Sequence, residues 1–410
     1  MPGVWRAVAY CTGCVVVFHS PRACAHVART MDINAHYRTM SDGRQENLGS
    51  VPLLSSQLEE KHSIFGGADR LTECVAFAIN QYHPQCLVLA NSCVAGVIGD
   101  DVEAVARATE AQYGIPVLTV DCCGFLDGEY YQGYFEITEQ LVDRFMQPAP
   151  KIPGTVVLLG DNGGPWGHYA TEVTRLLNEM KLKVIGQFPG YMTFEDLSQI
   201  GTAEAAIILG GRGQVHQGLQ KVAAKLQAKL GINYVNVYPV GWANTKAWLR
   251  DIGRLMHREE GAEQVLEHEV YRLQKALDAM RHVTFGKKTV LCLGRQLLYY
   301  HPGAVLESIE LLGLNLQGIV LLDAYQAKDR EEMRQVVASL TKVPIYNAQE
   351  GEVLLTQSDL VLTTHELQNK KIKQLFLPML PKVGTMGELE FLQAITRLLQ
   401  SRIKGGVTYV

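Results

Sequence analysis

The fold is decided first by residues 86–101, which read CLVLANSCVAGVIGDD. The apolar run at 86–90 has the length and composition of a buried strand, and it leads into a short turn that carries Cys93. Residues 14–26 read CVVVFHSPRACAH and repeat this arrangement, with Cys24 after the apolar run. Because open α/β sheets bind their ligands at the carboxyl ends of strands, we expect both cysteines at that edge of a sheet.

Apolar runs and longer amphipathic stretches alternate along the rest of the chain. Further strands are predicted at 116–120, 155–159, 183–187, 205–209, 234–238, 289–293, 317–322 and 359–363. Helices are predicted at 71–81, 169–180, 218–230, 245–280, 303–312 and 387–403. This alternation predicts an α/β fold of three Rossmann-like domains, each a mainly parallel sheet flanked by helices. The predicted domains are 1–150, which carries the two cysteines, 151–285 after a proline-rich connection, and 286–410 with a C-terminal helix.

Composition excludes several classes of protein. The chain has 410 residues, 47% of them hydrophobic and 20% charged, with a net charge of -4, which is typical of a folded globular protein. It shows no basic cluster of the kind that binds nucleic acid. The apolar run at 14–18 is far shorter than the roughly 20 residues of a membrane span, so we predict a cytoplasmic protein without membrane contact. Nine cysteines, an odd number, favour reduced thiols or metal ligands over disulfide bridges.

Nucleotide-binding loops are absent from the sequence. It contains no Walker A motif, and the glycine-rich turns at 160–167 and 210–213 lack the spacing of a dinucleotide site. Electrons in a redox reaction would therefore travel through something other than a nicotinamide bound here. The pair Cys11-x-x-Cys14 leads into an apolar strand instead of a strand-to-helix turn, which favours two core residues over a thioredoxin-like motif.

The two cysteine turns resemble those of the nitrogenase component 1 superfamily. The family pattern is a Ser/Gly-Pro-x-x-Cys turn, matched by Ser20 to Cys24, and a Cys-x-x-x-x-Ile-Gly-Asp-Asp segment, matched 69 residues later from Cys93. Four further segments resemble family motifs in the same order: 65–71 (FGGADRL), 124–134, 190–197 and 238–245. The resemblance covers nearly the whole chain. This superfamily contains nitrogenase subunits, a cofactor-assembly scaffold pair and dark-operative protochlorophyllide reductase subunits.

The resemblance implies an iron–sulfur cluster, 4Fe–4S or P-cluster-like, shared with a homologous partner subunit in a heterodimer or heterotetramer. It also implies a separate ATP-dependent iron protein that docks there and delivers electrons one at a time. Cys24 and Cys93 match the second and third cluster cysteines of a family subunit. Thiolate is the natural ligand for iron in such clusters. The turn at 99–101 would lie beside the cluster without ligating it.

The family's first cluster cysteine would fall upstream of Met1. Three readings stay open: Cys11 or Cys14 substitutes for it, the cluster takes fewer ligands, or the chain start is internal to a longer reading frame. Cys122 and Cys123 follow another predicted strand and are further candidates for facing the cluster.

Two residues that anchor the catalytic cofactor in the family's cofactor-bearing subunit lack counterparts here. The expected thiol after the strand at 205–209 is replaced by Gly210, and the segment 377–381 contains no histidine. The chain therefore resembles a β-type or scaffold-type subunit. We predict an electron-transfer subunit of a nitrogenase-like, ATP-dependent reductase, with catalytic residues and substrate unassigned. The alternatives are a cofactor-assembly scaffold without substrate turnover and a Rossmann-type protein that has lost its cluster.

Overall fold

The described residues form three parallel β-sheets flanked by helices, which confirms the predicted fold class. The structure is a computed structural model that describes residues 1–41, 49–122, 130–161, 163–295, 297, 299–322, 327–368, 371–402 and 405–409, with side chains from 32 to 41 and at 327 left aside. Within this part of the chain, no helix is both long enough and apolar enough to cross a membrane.

The first sheet has the strand order β2-β1-β3-β4. Its strands are β1 (Cys14–His19), β2 (Leu53–Ser55), β3 (Cys86–Ser92) and β4 (Val117–Cys122). Every residue of β1 and β3 is buried, which explains why both read as continuous apolar runs. The surrounding helices are α1 (Pro2–Val8), α2 (Arg22–Ser41), α3 (His62–Phe65), α4 (Ala68–Tyr82), α5 (Cys93–Ile98), α6 (Val102–Tyr113) and α7 (Tyr130–Phe145).

The second sheet has the strand order β6-β5-β7-β8. Its strands are β5 (Thr155–Leu159), β6 (Lys183–Phe188), β7 (Ala205–Ile208) and β8 (Asn233–Val235), with helices α8 (His168–Glu179) and α9 (Gly213–Leu230) and a 3-10 helix at Glu195–Thr202. A strand was predicted at 234–238, but β8 ends at Val235.

The third sheet has the strand order β11-β10-β9-β12-β13-β14. Its strands are β9 (Lys288–Leu293), β10 (Asn315–Leu321), β11 (Ile345–Asn347), β12 (Leu360–Thr363), β13 (Lys373–Phe376) and β14 (Gly406–Tyr409). The helices here are α10 (Trp242–Leu255), α11 (Glu259–Thr284), α12 (Pro302–Leu311), α13 (Ala327–Leu340), α14 (Ala348–Gln357) and α15 (Gly384–Gln400). The single helix predicted at 245–280 is wrong, because His257 adopts a left-handed φ of 51° between α10 and α11.

The described residues divide into two compact units. One unit comprises 1–210 and 214–236, and the other comprises 211–213 and 237–410. The first unit contains two sheets because one hydrophobic core joins them: Val16 and Leu118 of the first sheet share a cluster with Val157 and Ile208 of the second. Each sheet takes its strands from one of the ranges 1–150, 151–285 and 286–410, and the division into three domains stays a prediction.

Candidate functional site

Cys24 and Cys93 lie at one edge of the first sheet. Cys24 is the third residue of α2, directly after β1, and Cys93 is the first residue of α5, directly after β3. The two strands are parallel neighbours, with His19 paired to Asn91 at their carboxyl ends. The Ser92 hydroxyl caps α5 by accepting a hydrogen bond from the Ala95 N–H at 3.3 Å. The sheet therefore brings together two half-buried thiols from positions 69 residues apart in the chain.

The surroundings of Cys24 disfavour its thiolate form. Burial raises the pKa of Cys24, and the neighbouring Cys93 raises it further, while a hydrogen bond with Ser20 and the α-amino group of Met1 lower it. Cys24 is thus held as a thiol at neutral pH. Binding of a metal would have to displace this proton, as it does for thiolate ligands in general.

Cys122 reaches the same edge of the sheet from β4. The register pairs it directly with Ser92, the residue before Cys93. Burial raises the pKa of Cys122, and the α-amino group of Met1, which is hydrogen-bonded to this thiol, lowers it. Met1 thus interacts with both Cys24 and Cys122. Cys123 lies outside the described residues.

Cys11 and Cys14 lie at the opposite edge of the sheet. Cys14 begins β1 and Cys24 follows its end, and the five steps from Cys14 to His19 span about 17 Å at 3.3 Å per step. Both thiols are buried in the hydrophobic core. A hydrogen bond with Cys14, together with burial, raises the pKa of Cys11. This placement argues against Cys11 or Cys14 sharing a cluster with Cys24.

The described residues offer few ligands for a metal. No group of three or more His, Cys, Asp or Glu side chains among them is arranged to hold a metal ion. The pair Cys24 and Cys93 is therefore an incomplete set of ligands as it stands, since iron in such clusters is usually held by four thiolates.

A buried polar network lies at the end of β1, next to the turn that carries Cys24. His19, the last residue of β1, is fully buried and contacts Ser56 through Nδ1 and Asp100 through Nε2, both at 2.9 Å. The Ser56 hydroxyl oxygen accepts the Ser20 N–H at 3.2 Å, which leaves its own proton to donate to Nδ1. His19 is then the neutral tautomer that donates from Nε2 to the Asp100 carboxylate. Consistently, burial lowers the pKa of His19 against the opposing effect of Asp100.

The glycine pair at 66–67 is explained by this network. Both carboxylate oxygens of Asp100 accept the Gly67 N–H, at 2.9 and 3.0 Å. A Cβ at Gly67 would lie 2.4 Å from Leu58 Cδ2 and 2.8 Å from Asp100 Oδ2, which real side chains do not tolerate. Gly66 adopts a φ of 83°, in the region that favours glycine. Through these hydrogen bonds, Asp100 in the turn after α5 holds the segment that follows the end of α3 at Phe65.

Apolar side chains are exposed next to both cysteines. On α2, Val27 and Met31 follow Cys24 at helical spacing and are exposed on the same face. Next to Cys93, α3 packs against α5. There the side chains of Phe65 and Val97 are 85% and 84% exposed, beside exposed Ile64. We call Ile64, Phe65 and Val97 the apolar patch. Exposed apolar surface of this kind is typical of sites that contact another protein.

The position of Gly210 is closely packed. A Cβ there would lie 2.7 Å from Leu219 Cδ1, the flexible end of a side chain on α9, so a side chain at the end of β7 would require the Leu219 side chain to move. Gly210 itself offers no side chain that could bind a metal.

The sequence did not reveal the roles of His19 and Ser56. His19 directly precedes the turn from Ser20 to Cys24, but its partners lie 37 and 81 residues away. A polar side chain at the end of an otherwise apolar buried strand was the available signal, because such groups are nearly always hydrogen-bonded.

Comparison with known proteins identifies the family to which this chain belongs. The model of the family described as nitrogenase component 1 type oxidoreductase matches residues 1–399. The chain belongs to this family, and the resemblance drawn from its motifs is confirmed.

Individual relatives include the nitrogenase iron-molybdenum cofactor biosynthesis protein NifE of Clostridium pasteurianum, 29% identical over 306 residues, which are 70% of this chain and 63% of that protein. The nitrogenase molybdenum-iron protein alpha chain of Acidithiobacillus ferridurans is 26% identical over 317 residues, which are 74% of this chain and 60% of that protein. The chain thus spans less than two thirds of the length of these relatives. A solved structure described as nitrogenase Cp1 at pH 5 matches with a TM-score of 0.64 and 17% identity, covering 98% of this chain and 88% of that one, which shows the shared fold.

Proposed function

We propose that this chain is one subunit of a nitrogenase-like, ATP-dependent reductase. In this proposal Cys24 and Cys93 hold an iron–sulfur cluster, 4Fe–4S or P-cluster-like, at an interface with a homologous subunit in a cytoplasmic heterodimer or heterotetramer. A cluster of this kind accepts and releases single electrons. A separate iron protein would supply them, and the reduced compound is not assigned.

The observation that carries the proposal is the pair of neighbouring thiols at the exposed edge of a parallel sheet. The side chains fit an iron–sulfur cluster in kind, because thiolates are its usual ligands. They do not fit it in number, since the described residues supply no third ligand beside them. A second chain that contributes the remaining thiolates would complete the set and would also shield the cluster from water and oxygen.

The surface around the cysteines supports two partners. Val27 and Met31 lie on the same face of α2 as Cys24, so a subunit that shares the cluster would bury them. The apolar patch lies on α3 and α5, beside Cys93, and offers a place for the electron donor to dock. Docking beside the cluster keeps the electron-transfer distance short.

Replacement of either cysteine tests the cluster assignment. We expect Cys24→Ala and Cys93→Ala to lose most of the iron, acid-labile sulfide and visible absorption of the anaerobically purified complex, because each removes one thiolate ligand. Cys74→Ala is the matched control, since Cys74 is also a half-buried free thiol but lies on α4. Unchanged iron content in both variants would contradict the assignment, as would a stable monomer that carries a full cluster.

A cofactor-assembly scaffold is the second candidate. It is favoured by the match to a relative named as a cofactor biosynthesis protein and by Gly210, which has no side chain to anchor a cofactor at the end of β7. A scaffold would hold a cluster without turning over a substrate. The complex, supplied with the iron protein and ATP, should then hydrolyse ATP without steady consumption of any reducible substrate. Sustained reduction would favour the reductase, and a chain free of iron and sulfide would support the loss of the cluster.

A further inference from the structure

A groove of about 600 Å³ lies in the first unit, between α2, β2 and α4. Its walls carry Arg22, His26 and Arg29 of α2 and Arg70 and Phe77 of α4, and Ser55 of β2 lies at its floor. We call these six residues the basic groove. Its volume lies within the range of about 300–1,000 Å³ that is typical of small-molecule sites.

The basic groove and the cysteine edge use opposite faces of α2. Arg22, His26 and Arg29 follow each other at intervals of four and three residues, which places them on one side of a helix with 3.6 residues per turn. Cys24 is two residues from Arg22 and therefore points about 200° around the helix, and the exposed Val27 and Met31 point about 140° and 180° around it. A molecule in the groove would thus leave the cysteines free for a cluster.

The groove has an excess of positive charge. Arg70 forms an ion pair with Glu73 at 2.6 Å, so these two charges on α4 neutralise each other. Within the described part of the chain, no carboxylate pairs with Arg22 or Arg29, and both side chains are exposed at the groove. The described lining of the groove carries three arginines and one glutamate, which leaves an excess of two positive charges for an anion to bind.

The spacing of the arginines limits the shape of the anion. Arg22 and Arg29 are seven residues apart, which is about 10 Å along the helix at 1.5 Å per residue. This spacing of the two backbone positions matches an anion that carries two acid groups on a short body, one for each guanidinium group. Phe77, 53% exposed at the opposite wall, offers a contact for the hydrocarbon part of that body.

We propose that the basic groove binds a small organic anion with two separated acid groups, either phosphates or carboxylates. Guanidinium groups suit both, because each presents two parallel N–H donors to the two oxygens of a carboxylate or a phosphate. Arg22 and Arg29 would each bind one acid group. This site is independent of the cysteines and goes beyond the function proposed above.

Titration calorimetry of the full chain tests the proposal with fructose 1,6-bisphosphate for phosphates and adipate for carboxylates. We expect one site for at least one of them, and we expect Arg22→Gln and Arg29→Gln each to weaken binding by about tenfold or more, because each removes a charge-assisted hydrogen bond. Arg107→Gln is the matched control, since Arg107 is an exposed arginine of the same unit on α6. Circular dichroism establishes that the variants are folded.

Three results would overturn the proposal. The first is that neither anion binds with a Kd below about 10 mM, which corresponds to a binding free energy of about 2.7 kcal/mol. The second is that Arg107→Gln weakens binding as much as the groove variants do, which would show general attraction to positive charge. The third is that an oligoglutamate peptide binds through Arg22 and Arg29 while both small anions fail, which would make the groove a docking site for an acidic protein segment.

Discussion

Removal of the Asp100 carboxylate is expected to release the segment that carries Phe65. The side chain of Asp100 is 6% exposed and accepts hydrogen bonds from His19 Nε2 and from the Gly67 N–H. Hydrogen bonds to a charged acceptor contribute about 1.5–3 kcal/mol each, and Asp100→Ala also leaves two buried donors without an acceptor. The free energy of local opening around Gly67 should therefore fall by about 3 kcal/mol. This corresponds to roughly a 150-fold increase in the hydrogen-exchange rate of the Gly67 amide.

The neighbouring Asp101 supplies a matched control. Its side chain is 66% exposed and caps α6 by accepting the Ala104 N–H at 2.8 Å. Asp101→Ala should cost about 1 kcal/mol and act on the first turn of α6 only. Hydrogen exchange measured by mass spectrometry on peptides that cover 62–67 and 102–113 separates the two effects. Unchanged exchange at Gly67 in Asp100→Ala, or equal acceleration there in Asp101→Ala, would refute the assigned role of Asp100.

Two further predictions concern buried charges. Burial raises the pKa of Glu388 from 4.5 to about 7, where its Oε1 accepts a hydrogen bond from Ser308 at 2.6 Å. The protonated form of this group stabilises the fold, and this contribution is complete below pH 4.5. As the pH rises to about 7, the free energy of unfolding should fall by about 3 kcal/mol because the contribution is lost. Glu388→Gln should flatten this part of the pH profile of urea unfolding, and an unchanged slope would contradict the effect. Arg6 is buried and pairs with Asp161, so Arg6→Ala should lower the free energy of unfolding by about 3 kcal/mol or more. The double variant Arg6→Met, Asp161→Leu should regain much of that loss, and a neutral Arg6→Ala would show that the pair contributes nothing.

Several elements were predictable because their signal is local. The strand predicted at 155–159 coincides with β5 (Thr155–Leu159), and the apolar runs in β1 and β3 identified both strands that lead to the cysteines. Strands buried on both faces by helices consist of successive apolar residues, so a short window of sequence suffices to find them. The positions of Cys24 and Cys93 at one edge of a sheet followed from the same runs.

Other elements could not be predicted because they depend on distant partners. The strands β13 (Lys373–Phe376) and β14 (Gly406–Tyr409) have four residues each, too few to show a period. They exist as strands because β13 pairs with β12 and β14 pairs with β13. The break between α10 and α11 depends on a backbone conformation at His257 that its residue type does not require.

The sequence by itself determined the α/β class, the family and the two thiols that follow strands, since each depends on residues within one short segment or on motif order. Only the tertiary structure decided that His19 contacts Ser56 and Asp100, and that Arg22 and Arg70 face a common groove. These residues meet because the strand order β2-β1-β3-β4 places segments from different parts of the chain side by side. Strand order is fixed by the packing of the whole sheet, so no single segment encodes it.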